Sequence, residues 1–215
     1  MIDTSGLRGM GETTVTRPRG EYAAPVAAGV RSGRLIFERG TANDVIVVEP
    51  DLADLFVARF DGAVPRVETT AGTVRIRHAR ARRNRGRIAL TGRLPWSLEL
   101  HGGAARLRAD LGGADITEIT VGGGASHVDL ALPAPTGCVP IRFGGGVSNV
   151  SVLRPKDVPV RLSIGGGAAR IALDDQRFGA IGGPIALSSG CADGAAGSYD
   201  IHIAGGAHAL VIATY

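Results

Sequence analysis

A glycine run that recurs about every 21 residues constrains the fold of this chain more than any other feature of its sequence. The clearest copies are VGGGASHVDLAL (Val121–Leu132), FGGGVSNVSVL (Phe143–Leu153) and IGGGAARIAL (Ile164–Leu173). An aliphatic anchor residue follows each glycine corner, and successive anchors are 21, 22, 21 and 39 residues apart. The anchors are Leu107, Val128, Val150, Ile171 and Leu210. A fixed period of this length is the signature of a repeat architecture.

Each repeat unit predicts a strand, a corner and a second strand. Apolar residues alternate with polar ones on both sides of the glycines, as Val128, Leu130 and Leu132 show, and this period of two is typical of a strand with one buried face. Helical spacing of apolar residues occurs in PDLADLFVARF (Pro50–Phe60). We therefore expect an all-β fold of stacked strand-corner-strand repeats in the manner of a β-solenoid, with at most one short helix.

The glycines are best explained as structural corners, which need either a positive φ or the close approach of a neighbouring backbone. A phosphate-binding loop would require GxxxxGK[ST] at the start of a helix, and no lysine follows any of the runs. A calcium-binding nonapeptide would require an aspartate two residues after the third glycine, where serine or alanine stands instead. The predicted corner glycines are Gly102, Gly103, Gly123, Gly124, Gly145, Gly146, Gly166, Gly167, Gly205 and Gly206.

The succession of GGGAS, GGGVSN and GGGAAR corners between short alternating strands resembles the toast-rack domain, one of the bacterial adhesin-like domains of unknown function. The resemblance spans about residues 31–215 and implies a slab-shaped solenoid of stacked coils without catalytic residues. Members of that family often occur in envelope-stress proteins that carry a membrane segment, and others accompany peptidase or signalling modules in bacterial conflict systems. This sequence departs from the envelope type, because it has neither a signal-like start nor an apolar run of about 18 residues. We expect a cytoplasmic location.

The hydrophobic residues, 44% of the chain with only 4% aromatic, predict a core of Val, Ile, Leu and Ala. We expect one domain over residues 30–215, preceded by an arm over residues 1–29 that orders only against a partner or the domain flank. The chain ends on an apolar strand, AHALVIATY, without a polar cap. This predicts an open edge at the C-terminus through which the protein could self-associate.

Positive charge is concentrated in one segment. The net charge is +4, yet residues 69–98 contain eight arginines and no acidic residue. Within this window, RIRHARARRNRGRIAL (Arg75–Leu90) predicts a protruding hairpin with an arginine-rich tip. The candidate anion-binding or partner-binding residues are Arg75, Arg77, Arg80, Arg82, Arg83, Arg85 and Arg87.

Three ligand classes fit these arginines: the phosphates of nucleic acid, anionic lipid headgroups and an acidic protein surface. Aromatic residues for base stacking are missing from the segment, which disfavours sequence-specific recognition of single strands. A solvated hairpin without a ligand is the remaining interpretation.

No residue set predicts catalysis or metal binding. The five histidines (His78, His101, His127, His202 and His208) have no carboxylate or cysteine at ligand spacing. Asp174 and Asp175 are read as a charged turn, and Cys138 and Cys191 as free thiols that are at least partly buried. We therefore predict no cofactor, no metal and no enzymatic activity. The predicted function is a scaffold or adaptor with a protein partner, in a bacterial stress or conflict system; the alternative is binding of nucleic acid or an anionic surface through Arg75–Arg87.

Overall fold

The computed structural model describes residues 15–16, 20–78, 85–190 and 196–215. These ranges contain twenty-one strands and no helix. The strands are β1 (Val15–Thr16), β2 (Glu21–Pro25), β3 (Gly33–Phe37), β4 (Thr41–Ala42), β5 (Asp44–Glu49), β6 (Asp54–Asp61), β7 (Arg66–Thr70), β8 (Thr73–Arg77), β9 (Arg85–Thr91), β10 (Trp96–Leu100), β11 (Ala104–Asp110), β12 (Ile116–Val121), β13 (Ala125–Ala131), β14 (Cys138–Phe143), β15 (Val147–Arg154), β16 (Val160–Ile164), β17 (Ala168–Leu173), β18 (Gln176–Ile181), β19 (Ile185–Ser189), β20 (Ser198–Ile203) and β21 (Ala207–Thr214).

The strands form two sheets. The larger sheet has the order β1-β2-β6-β9-β5-β11-β13-β15-β21-β17-β18, with β4 also beside β11. The smaller sheet has the order β19-β16-β20-β14-β12-β10-β3-β8-β7. Neighbouring strands are parallel through the middle of both sheets and antiparallel only towards the ends.

One repeat contributes one strand to each sheet, with the glycine corner between them. Leu107 on β11 lies beside Val128 on β13, and Val128 lies beside Val150 on β15. All five anchor residues are buried, with at most 4% of their surface exposed, and they form part of one apolar core. The predicted all-β fold of strand-corner-strand repeats is confirmed.

The corner glycines are explained by the close approach of neighbouring coils. A Cβ atom at Gly145 would lie 2.7 Å from the backbone nitrogen of Gly124, which is closer than real Cβ contacts. The left-handed backbone falls instead three residues after the last corner glycine, on non-glycine residues with φ between 49° and 55°. These residues are Arg106, His127, Asn149, Arg170 and Ala209.

The helix predicted at Pro50–Phe60 is wrong, because Asp54–Asp61 forms strand β6. Apolar residues in this segment fit both spacings, and pairing with β9 selects the extended form. Phe56, Ala58 and Phe60 then point into the core at intervals of two residues.

The prediction of an open edge at the C-terminus is also wrong. Strand β21 lies inside the larger sheet, where Leu210 pairs with Val150 on one side and with Ile171 on the other. The coil formed by β20 and β21 is therefore inserted between two coils that precede it in the chain. The edge strands at this end of the stack are β18 and β19, because the chain turns back before its last coil.

Two strands of the larger sheet come from the predicted N-terminal arm. Strand β2 pairs with β6, and β1 pairs with β2 on the flank of the sheet. The division into an arm over residues 1–29 and a domain over residues 30–215 stays a prediction. Within the described residues, no helix has the length and apolar character needed to cross a membrane.

Candidate partner-binding surface

The arginine-rich segment is divided between the two sheets. Strand β8 pairs with β3 and β7 in the smaller sheet, whereas β9 pairs with β5 and β6 in the larger sheet. The predicted hairpin over Arg75–Leu90 is therefore wrong, because β8 and β9 do not pair with each other and belong to different sheets. Arg80, Arg82 and Arg83 lie outside the described residues.

The four described arginines of this segment consequently face different ways. Arg75 and Arg77 alternate with the buried Val74 and Ile76, so they lie exposed on the outer face of the smaller sheet. Arg85 and Arg87 are exposed on β9, on the outer face of the larger sheet. The structure brings these arginines together in two pairs and not in one patch.

Arg75 and Arg77 line a charged cleft of about 210 Å³, which we call the N-terminal cleft. Its lining residues are Glu38, Arg66, Glu68, Arg75 and Arg77. Arg77 forms an ion pair with Glu38, and Arg66 forms one with Glu68. Among the described residues, Arg75 has no acidic group within ion-pair distance, although Glu68 is its neighbour across the strands. The cleft therefore presents both signs of charge around one guanidinium that is available to a ligand.

Further ion pairs continue along the same outer face. Arg34 Nε lies 2.5 Å from Glu99 Oε1, and His101 Nε2 lies 3.3 Å from Glu99 Oε2. The hydrogen bond from Arg34 lowers the pKa of Glu99 below its ordinary value, and the hydrogen bond with His101 acts in the same direction. In the next coils, Arg142 pairs with Glu118 at 2.9 Å. The outer face of the smaller sheet is thus a mixed-charge surface.

Among the described residues, neither His127 nor His208 has an ion pair with an acidic residue. His127 is exposed, and His208 contacts Arg170. No group of three or more potential metal ligands occurs among residues 20–78, 85–190 and 196–215. Cys138 is an exposed free thiol, whereas the sequence predicted a thiol that is at least partly buried. It is exposed because it is the first residue of β14 and follows the exposed Gly137. Cys191 lies outside the described residues.

A buried polar cluster was not found from the sequence. Asp44, Thr41 and His78 lie in the core, where the Thr41 hydroxyl donates to Asp44 and His78 Nε2 lies 3.4 Å from Asp44 Oδ2. The register places Asp44 beside Leu107, in the column of aliphatic anchors. Aligning LIFERGTANDVIVV (Leu35–Val48) on the anchors would have revealed this carboxylate.

The predicted acidic turn has a structural role. Asp174 accepts hydrogen bonds from Arg154 at 2.5 Å and from Ser189. These contacts tie β15, the turn after β17 and the end of β19 together, and Arg154 is almost fully buried. Asp174 therefore stabilises the packing of the coils at the C-terminal end of the stack.

Comparison with known proteins adds two findings. Residues 64–153 match the family model described as the N-terminal domain of toast_rack, DUF2154. A crystal structure from Clostridium sporogenes ATCC 15579, of a protein named as a candidate for cell adhesion, is similar with a TM-score of 0.59 and 16% identity. The match covers 91% of this chain and 99% of that chain, and it shows a shared fold. Comparison with curated proteins finds no match. The predicted resemblance is confirmed.

Proposed function

From the toast-rack domain that this chain carries, we propose a non-enzymatic role in protein–protein interaction, as a scaffold or adaptor. The observation that carries the proposal is the N-terminal cleft, where Arg75 lies between Glu38 and Glu68 and has no ion pair with any acidic group of the described residues. Arg75 is exposed on a regular strand, so its guanidinium is positioned by the sheet without being neutralised. We propose that this guanidinium binds a carboxylate of a partner protein.

The mixture of charges favours a protein over a polyanion. A phosphate backbone would meet the carboxylates of Glu38 and Glu68 as well as the arginines, and this repulsion would weaken binding. A protein surface carries both signs of charge and can complement both sets of groups. The separation of Arg75 and Arg77 from Arg85 and Arg87 argues in the same direction, since a nucleic-acid track needs its cations on one surface.

The described residues also offer little support for catalysis. The clusters around the carboxylates of Asp44 and Asp174 make hydrogen bonds within the fold and connect neighbouring strands and turns. Catalytic groups would have to reach a substrate in an accessible cleft. The name of the structural neighbour, which refers to cell adhesion, is consistent with a role in protein–protein contact.

The proposal is tested by capturing companions of the tagged protein from a native cell extract, with and without nuclease. We expect one or a few defined proteins that stay bound after nuclease treatment and at moderate salt. Nucleic acid as the sole companion, lost on nuclease treatment, would contradict the proposal and support the alternative that acts through the arginines of Arg75–Arg87. A steep loss of binding with rising salt would accompany that alternative.

A further inference from the structure

Both sheets end at the same level at the C-terminal end of the stack. Strand β18 is the last strand of the larger sheet and pairs only with β17 among the described strands. Strand β19 is the last strand of the smaller sheet and pairs only with β16 among them. Two edge strands that belong to one coil therefore present unpaired backbone donors and acceptors side by side.

The core is incompletely covered at this end. Phe178 and Ile181 on β18, and Ile185 and Leu187 on β19, are only half-buried although they pack against the core. On the neighbouring interior strand β16, the corresponding core position is fully buried, since Leu162, which pairs with Leu187, is 0% exposed. Within the described part of the chain, the end coil therefore lacks the second neighbour that buries each interior coil.

The glycines of the end coil lead to the same conclusion. A Cβ atom at Gly179 or Gly182 would meet nothing within 4 Å, and neither residue has a positive φ. In the interior, by contrast, a Cβ at Gly145 or Gly205 would collide with the backbone of the next coil. No contact among the described residues requires glycine at 179 and 182, whereas the close approach of another coil would favour it.

The opposite end of the stack has a different shape. Beyond β8 and β9, the smaller sheet adds only β7, whereas the larger sheet adds β6, β2 and β1. Strand β7 also carries the charged pair Arg66 and Glu68, which is typical of edges that are protected from pairing. Because its two sheets end at different levels, this end cannot continue both β18 and β19 of another copy.

We propose that the occupant of the C-terminal end is the same end of a second copy, in a two-fold symmetric dimer. A two-fold axis perpendicular to the sheets pairs β18 with β18 of the second copy and β19 with its β19, both antiparallel. This arrangement continues both sheets, covers the half-buried core side chains and closes on itself without forming a filament. It goes beyond the proposed function and does not involve the N-terminal cleft, so the two can fail separately.

The experiment is a mass measurement in solution, by sedimentation equilibrium over a range of protein concentrations. We expect the wild-type chain to reach twice its mass of 22.0 kDa and no more. The double variant Gly179→Lys/Gly182→Lys should stay at the single mass, because the added side chains have room in one chain but block the second. Its melting temperature, measured at a concentration where the wild type is dissociated, should match the wild type.

The matched control is Gly137→Lys, which adds the same side chain at an exposed turn where a Cβ also meets nothing within 4 Å. This variant should dimerise like the wild type. A wild-type chain of single mass at all concentrations would overturn the proposal. A double variant that still dimerises, or a wild-type mass that grows beyond two chains, would overturn it as well.

Discussion

Asp44 Oδ2 lies 3.4 Å from His78 Nε2 inside the core, in a column that Leu107 and Val128 continue with aliphatic side chains. Both side chains are almost fully buried, and the His78 ring stacks on Phe37 with ring centroids 6.1 Å apart. A buried carboxylate is tolerated only where polar groups replace water, and here the Thr41 hydroxyl donates to Asp44 while the His78 ring lies close to the same oxygen.

Replacement of Asp44 by Asn should destabilise the fold by about 2 kcal/mol or more, because the Thr41 hydroxyl loses its carboxylate acceptor and an amide replaces the carboxylate beside His78 inside the core. Urea unfolding at neutral pH measures the loss. The matched control is Asp129→Asn, whose carboxylate is 57% exposed and lies 3.6 Å from Arg108, and which should change stability by less than about 0.5 kcal/mol. Equal stability of Asp44→Asn and the wild type would contradict this account of the cluster.

Valine at Gly145 or Gly166 should cost about 2 kcal/mol or more in each case, because the added atoms overlap the backbone of the next coil. A Cβ at these positions would lie 2.7 Å from Gly124 N and 2.9 Å from Gly206 N. Gly137→Val is the control, since a Cβ there meets nothing within 4 Å. Thermal unfolding distinguishes the variants, and wild-type melting temperatures for both corner variants would show that the coils are not in close contact at their corners.

Leu210→Ala tests the insertion of the last coil. Leu210 is 1% exposed and lies between Val150 and Ile171, so its truncation should cost about 3 kcal/mol. Val211 stands next to it on the same strand with 41% of its surface exposed, and Val211→Ala should cost less than about 1 kcal/mol. Similar small losses for both variants in chemical denaturation would mean that β21 is a frayed edge.

Stability should depend on pH through Glu99. Its pKa is lowered in the folded chain, chiefly by the hydrogen bond from Arg34, so the stabilisation is complete above the ordinary value of 4.5 and is lost as the pH falls through the folded value. Glu99→Gln should therefore lower stability at pH 7, by less than about 1 kcal/mol because Arg34 is half-exposed. The difference from the wild type should shrink in acid. A difference in melting temperature that stays constant from pH 7 down to strong acid would be inconsistent with this pairing.

The repeat could be predicted because each coil makes the same contacts at the same positions. An aliphatic anchor such as Val128 must be buried, and a corner residue such as Gly145 must lack a side chain because the backbone of the next coil lies close to it. Both requirements therefore recur in the sequence of each repeat. The order of the coils in space could not be predicted, since the coil that contains Leu210 carries the same corner and anchor pattern as the other coils. Its position beside Val150 follows from pairing over long sequence distances.

The local sequence pattern also gave a wrong prediction where pairing with a distant strand determines the conformation. The apolar residues of 54–61 suit a helix or a strand, and β9 selects the strand. Arg75 and Arg87 are close in sequence but lie on the outer faces of different sheets, because β8 belongs to the smaller sheet and β9 to the larger one. The core position of Asp44 could have been found by alignment to the anchors, whereas its contact with His78 required the structure.

The most direct test of the interaction role compares capture by three forms of the tagged chain from nuclease-treated native extract: wild type, Arg75→Glu and Arg161→Glu. Arg161 is exposed on the outer face of the same sheet, far from the N-terminal cleft, and controls for the change of charge. We predict that quantitative mass spectrometry finds a protein retained by the wild type and by Arg161→Glu, and reduced at least about tenfold with Arg75→Glu, as expected for the loss of a charge-assisted contact. Equal retention by all three forms would contradict the assignment of the N-terminal cleft as the binding site.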